Sequence, residues 1–323
     1  MSTIQTVRGP IEPEKIGFTL VHEHLHLEMW HTSGDGRIGQ LDDDEIFAAE
    51  LSAFKEVGGS CLVDQTPRGG GRQPARLRAL SEAAGVEIVC STGYYTEPYY
   101  PPEDVLHRRS VDDIAALLLD EIQNGVDGTG IRPGLIGEIG TSQGWVSPLE
   151  ERVHRAAARA QRASGLPLAT HTLYHGAGRH QLDIFEEEGV DPARICIGHC
   201  DTSPSLAYCE SIARRGAYVS LDNIGFDLPG HEDAVRRLLL ALVERGYARQ
   251  VLLSQDMGQM PELGCRGGRG LTYLAKRFLP SLLEAGLDEA TVRLMTVENP
   301  RRWLSIDHLP NSSERPKKTA DIG

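Results

Sequence analysis

An alternation of two hydrophobic periods, repeated eight times, constrains this chain more than any other feature. "FTLVHEH" (18–24), "SCLVDQT" (60–66), "VEIVCST" (86–92) and "GLIGEIG" (134–140) are short apolar runs that turn polar at their C-terminal ends. "PLATHT" (167–172), "ICIGHC" (195–200), "AYVSLD" (217–222) and "QVLLSQD" (250–256) repeat the pattern. Runs of this length bounded by turn residues are expected as buried strands. The segments between them, such as "LDDDEIFAAELSAFKEVG" and "EDAVRRLLLALVERG", carry apolar residues at helical spacing and end on glycine, a usual helix stop. Ser110 followed by Asp113 approximates a capping box. Strict strand–helix alternation implies a parallel sheet. Eight units in 323 residues favour a closed (β/α)8 TIM barrel over an open doubly wound sheet. Residues 1–309 are expected to form this one α/β domain, and the polar segment 310–323 a disordered tail.

Several classes are disfavoured by composition. A net charge of −13 is wrong for sequence-independent nucleic-acid binding, which needs a basic stripe. No apolar stretch approaches the roughly 18 residues of a membrane span, and "MSTIQTVRGPIEPEKIG" has no apolar signal core. A soluble, cytoplasmic protein acting on a small molecule is therefore expected, with no nucleic-acid or membrane partner. The six cysteines lack a repeated C-x2-C pair and are expected as buried free thiols. No G-x-G-x-x-G follows an early strand, which disfavours dinucleotide binding. "RGGG" (68–71) and "CRGGRG" (265–270) are expected as mobile loops.

Active sites of (β/α)8 barrels lie at the C-terminal ends of the strands. His22 and His24 end the first run, and their spacing of two puts both on one strand face. Glu138 lies near the end of the fourth run, His171 ends the fifth, His199 the sixth and Asp256 the eighth. Four imidazoles and two carboxylates exceed the three protein ligands of a single catalytic zinc. They suit two divalent ions about 3.5–4 Å apart, with Glu138 as the bridge. Glu23 and His26 are not assigned to the metals, Glu23 because it points to the opposite face, toward the barrel wall. His175 is near enough to the rim to touch substrate. His31, His107, His154, His180, His231 and His308 are expected as solvated side chains.

"HEHL", "TGYY", "GEIGTS", "THT", "IGHCD", "LSQD" and "VENPRRWL" occur in an order and spacing that resembles the phosphotriesterase-like family of the amidohydrolase superfamily, over residues 4 to 305. The resemblance implies a binuclear centre. His22, His24 and Asp256 would hold the more buried ion, His171 and His199 the more exposed one, and Glu138 would bridge them, as in the glutamate-bridged branch. Zinc is the leading expectation, with manganese, cobalt, iron and nickel open, and the resemblance also raises a homodimer. Asn223 stands where the acyl-homoserine lactonases have arginine and the organophosphate hydrolases a histidine.

The expected activity is metal-dependent hydrolysis of a carboxylic ester, lactone or amide. A hydroxide bridging the two ions would attack the carbonyl, and Asp256 would serve as catalytic base. A phosphotriester or organophosphate hydrolase is the alternative, and a non-catalytic metal-containing binding module the lesser one. Tyr95, Asn223, Arg266 and Arg269 are the candidate substrate contacts. Asp201, just after His199, is expected to orient a ligand.

Overall fold

Each apolar run becomes a strand of one parallel sheet. The computed structural model describes residues 2–29 and 40–307. Its barrel strands are β1 (Phe18–Glu23), β2 (Gly59–Asp64), β3 (Glu87–Val89, resumed after Cys90 at Ser91–Thr92) and β4 (Leu135–Gly140). They continue as β5 (Leu168–His171), β6 (Ile195–Ile197), β7 (Tyr218–Leu221) and β8 (Val251–Leu253). Neighbours pair in parallel in chain order from β1 to β8. The ring closes with little ladder. At the seam the Asp256 N–H donates to the His22 carbonyl at 3.0 Å, and the His22 N–H donates to Ser254 Oγ at 2.9 Å. The result is the (β/α)8 barrel that the alternation predicts. His31, His308 and the tail from Pro310 lie outside the described residues.

Seven helices separate the strands: α1 (Asp44–Glu56), α2 (Pro74–Ala84), α3 (Val111–Asn124), α4 (Pro148–Ser164), α5 (His175–Glu187), α6 (Leu206–Ala213) and α7 (His231–Glu244). Helical turns over 274–284 take the eighth position, and a last helical segment spans 289–304. The expected box at Ser110 forms: its hydroxyl accepts from Asp113 N–H, and the Asp113 carboxylate accepts from Ser110 N–H. The same device opens α4 through Ser147 and Glu150. The α3 face that meets the sheet carries Ile114, Leu118 and Ile122, four residues apart and fully buried. Each such side chain contributes about 1.5–3 kcal/mol.

The barrel interior is filled by Val21, Cys61, Val63, Val89, Leu135, Ala169, Cys196 and Leu252 and closed below by Trp303. Leu20, Leu62, Ile136 and Ile139 pack instead in the layer under the helices. Simple alternation from Leu20 would carry His22 outward as well. A bulge prevents this. Leu20 pairs with Leu62 and Glu23 with Asp64, three residue steps in β1 against two in β2. A matching bulge in β4 sets Ile136 opposite Leu168 and Ile139 opposite Thr170. Glu138 sits inside it. Gly137 and Gly140 flank that carboxylate because a Cβ would meet the Ala169 carbonyl at 2.9 Å or the Tyr95 backbone at 2.5 Å.

Both glycine-rich loops are bonded to charged side chains from other elements. Arg72, buried, pairs with Glu121 at 2.5 Å and Asp127 at 2.8 Å, and Arg68 pairs with Asp104 and Glu121 at 2.5 and 2.9 Å. These ion pairs clamp both ends of the 68–71 loop. The 265–270 loop is gathered by Glu50, which accepts from Gly264 N–H at 2.6 Å and Leu271 N–H at 2.9 Å. Five cysteines are buried free thiols; Cys265, on that loop, is exposed.

Candidate metal centre

His24, His199, Asp222 and Asp256 lie just beyond the ends of β1, β6, β7 and β8. His199 (φ 54°) and Asp256 (φ 47°) both adopt the left-handed region. This conformation costs a non-glycine residue about 1–2 kcal/mol and needs surrounding bonds to hold it. It turns their side chains inward over the barrel mouth.

The six ligand candidates converge there. Asp256 Oδ1 lies 3.2 Å from His24 Nε2 and 3.6 Å from His22 Nε2, which is also 3.6 Å from Glu138 Oε1. Glu138 Oε1 is 2.6 Å from His171 Nδ1 and 3.1 Å from His199 Nε2. His171 Nδ1 and His199 Nε2 approach to 2.7 Å. Two groups, His22–Glu138–His199 and His22–His24–Asp256, each bring ligand atoms within 4.8 Å of one another.

Each ring is oriented by its other nitrogen. Asp222 accepts from His22 Nδ1 and from His199 Nδ1, both at 2.9 Å, and from the His199 N–H at 3.0 Å. Thr66 Oγ1 donates to the His26 carbonyl and so is left to accept from His24 Nδ1 at 2.9 Å. His171 Nε2 meets the Tyr95 hydroxyl at 3.0 Å. The inward nitrogens are thereby left as lone-pair donors, and His22 Nε2 is buried with no hydrogen-bond partner among the described residues. Donors about 2.1 Å from one tetrahedral ion lie roughly 3.4 Å apart, so the spacings fit a cation.

Buried groups of both signs act on one another here. Burial pulls the imidazoles of His22 and His199 down, yet Asp256 and Glu138 at the one, and Asp222 at the other, leave both well above their usual range. Burial pushes Glu138 up, and His171 and His22 reverse this and hold it well below the carboxylate range. Asp256, raised by burial and lowered by His22 and His24, ends at about 2.

The other candidates divide. Tyr95 and Asn223 line the cleft above the six residues, a space of about 280 Å³ walled also by Leu27, Met29, Tyr99 and Phe226. Arg266 is exposed and does not line it. Arg269 is turned inward, pairing with Glu262 at 2.7 Å and donating to the Ile224 carbonyl at 3.0 Å. Asp201 does not touch a metal-ligand candidate. It accepts from the Asn223 N–H and side-chain amide, both at 2.9 Å, and burial raises it to about 6. Asp222, the carboxylate that does orient two rings, was not singled out from the sequence; its place at the polar end of the seventh apolar run was the available signal. His175 stacks on Tyr208 at 4.1 Å, outside the cleft. His154 and His231 are buried, not solvated: His154 Nδ1 donates to the Glu150 carbonyl at 2.7 Å, and His231 Nε2 to the Asp201 carbonyl at 2.7 Å. His26 lies beyond β1 and donates to the Gly71 carbonyl.

Known proteins match this arrangement along nearly the whole chain. The profile of the Phosphotriesterase family covers residues 2–304. The phosphotriesterase homology protein of Escherichia coli (strain K12) is 35% identical over 289 residues, 89% of this chain and 97% of its own length. A crystal structure of the Escherichia coli phosphotriesterase homology protein, with phosphate in its active site, superposes with a TM-score of 0.87 at 34% identity, covering 91% of this chain and all of that one. A lactonase from Listeria monocytogenes superposes with a TM-score of 0.87 at 29% identity, covering 94% of this chain and 99% of its own. An N-acetyltaurine hydrolase of Tetraodon nigroviridis is 30% identical over 346 residues, 94% of this chain and 98% of its own length.

Proposed function

Since the chain belongs to the phosphotriesterase family and is a metal-dependent hydrolase, we propose that it cleaves a carboxylic ester, lactone or amide at a binuclear centre held by His22, His24, Glu138, His171, His199 and Asp256. Zinc is the ion we favour. The observation that carries this reading is the convergence of six donors from five strand ends, each imidazole backed by a partner on its outer nitrogen. Two bound divalent ions would acidify water and polarise an acyl oxygen. The protein's part is positional. Glu138 stands between the two histidine groups and serves both. Asp256, ionised at neutral pH and partly open to the cleft, accepts the proton of the attacking water and passes it to the departing oxygen or nitrogen. Tyr95, its hydroxyl beside His171, meets the acyl oxygen or the leaving group.

One feature of the site favours carbonyl over phosphoryl chemistry. Asn223 is held by Asp201 through its amide, which cannot relay protons as an imidazole does. The relatives do not rank the two chemistries, since they include a lactonase and an N-acetyltaurine hydrolase but also an organophosphorus hydrolase from Deinococcus radiodurans. Steady-state rates of the zinc-loaded protein on lactones, aryl esters, N-acyl amides and dialkyl aryl phosphates test the reading. A carbonyl substrate is expected to exceed every triester in kcat/KM; the reverse order would replace it with organophosphate hydrolysis.

A further inference from the structure

The middle residue of "HEH" has no part in the metal set, yet it is fully buried and makes three bonds to a single short segment. Glu23 Oε1 accepts from Ser254 Oγ at 2.8 Å and from Gln255 N–H at 2.9 Å, and Oε2 accepts from Met257 N–H at 3.0 Å. These are the residues on either side of Asp256. Ser254 Oγ in turn accepts from His22 N–H, and Asp256 N–H donates to the His22 carbonyl. One carboxylate thus sits between His22 and His24 in the chain and brackets Asp256 in space.

We propose that Glu23 is a positioning residue that presets one of the two ion positions, the one built from His22, His24 and Asp256. The reason is conformational. Asp256 occupies a left-handed backbone state, which aspartate tolerates better than most residues but which is still costly for a residue with a Cβ and is kept by the bonds around it. Glu23 holds the peptide after Asp256 through the Met257 N–H and the one before Gln255 through the Gln255 N–H, while the peptide between Gln255 and Asp256 is held by the His22 carbonyl, so the backbone on both sides of Asp256 is tied to β1. His171 and His199 receive no bond from Glu23; Tyr95 and Asp222 orient them instead. The effect of Glu23 is therefore selective between the two positions. The inference rests on the ligand assignment proposed above.

The test is Glu23→Gln, which keeps the size of the side chain but turns an amide against a backbone N–H. Ions per chain are counted by mass spectrometry during graded chelator dialysis, with circular dichroism and thermal unfolding run in parallel. The wild-type chain is expected to retain two ions. Glu23→Gln is expected to release one of them at about 10- to 100-fold lower chelator strength, while the second leaves as in wild type. Ser254→Ala removes one of the three bonds, and with it the acceptor of the His22 N–H, without unpairing the carboxylate, and is expected to shift the same ion by less. Equal retention of both ions in Glu23→Gln overturns the proposal, as does equal weakening of both. A Glu23→Gln chain that fails to fold leaves Ser254→Ala to decide by the same criterion. A wild-type chain that holds fewer than two ions overturns the ligand assignment beneath, and the inference with it.

Discussion

Asp222 serves two rings with one carboxylate, an oxygen on each Nδ1. Asp222→Asn leaves one of those N–H groups without an acceptor and lets its ring turn. Metal affinity is expected to fall about 10- to 100-fold, measured by competition with a chromogenic chelator. Asp256→Asn is a different lesion, because the amide can still lie against the ions but cannot take a proton. At least a 100-fold loss of kcat with both ions largely retained is the expected outcome. Unchanged turnover would remove Asp256 from the role of base. His154 supplies a pH dependence far from the cleft. Burial lowers its imidazole to about 4, below the ordinary 6.5, so the unfolded chain binds its proton first as the pH falls. Its contribution is complete above pH 6.5 and drains away toward pH 4, by an amount of order 3 kcal/mol. Urea midpoints should decline over that window in the wild type and less in His154→Phe, which fills the space without a titrating group.

The loops at the mouth are elements in their own right, held by charge. Arg72 is buried between Glu121 and Asp127, and Thr92 Oγ1 donates to the far oxygen of Glu121 at 2.5 Å. Removing one partner of a buried pair strands the other, so Arg72→Ala is expected to cost about 3–5 kcal/mol in urea unfolding. Arg68→Ala, at a more exposed site, should cost clearly less. These loops also mark where the sequence stopped being legible. Glycine content reports only what the backbone is allowed to do, whereas the carboxylates that bond to these loops come from α1, α3 and the segments before and after α3. The strands were legible because apolar runs are local. The faces of β1 and β4 were not, because each depends on a bulge whose register is set by a neighbouring strand. His22, His24, Glu138, His171, His199 and Asp256 were found without those bulges since all stand at polar ends of apolar runs. Asp222 was missed at an equivalent end because its work is done through two other residues.

Across the whole molecule the ions, where bound, act on stability as well as chemistry. A ligand that binds only the folded chain stabilises it by about 2.7 kcal/mol per site at a hundred times its dissociation constant. Chelated protein is therefore expected to unfold at a lower temperature than protein reloaded with zinc, in differential scanning calorimetry at fixed pH. A chelated sample with unchanged Tm would contradict a pair of ions bound by the native fold. None of the described helices is long and apolar enough to cross a membrane.

The seam between β8 and β1 has a consequence for biosynthesis. His22 and Ser254 meet across 232 positions of chain. A ribosome delivers the first histidines long before the aspartate that completes their group. Until β8 arrives, β1 offers an open edge and half of a metal position. A nascent or truncated product ending before residue 256 therefore lacks one of the three donors of the His22–His24–Asp256 position, whereas His22, Glu138 and His199 are already made.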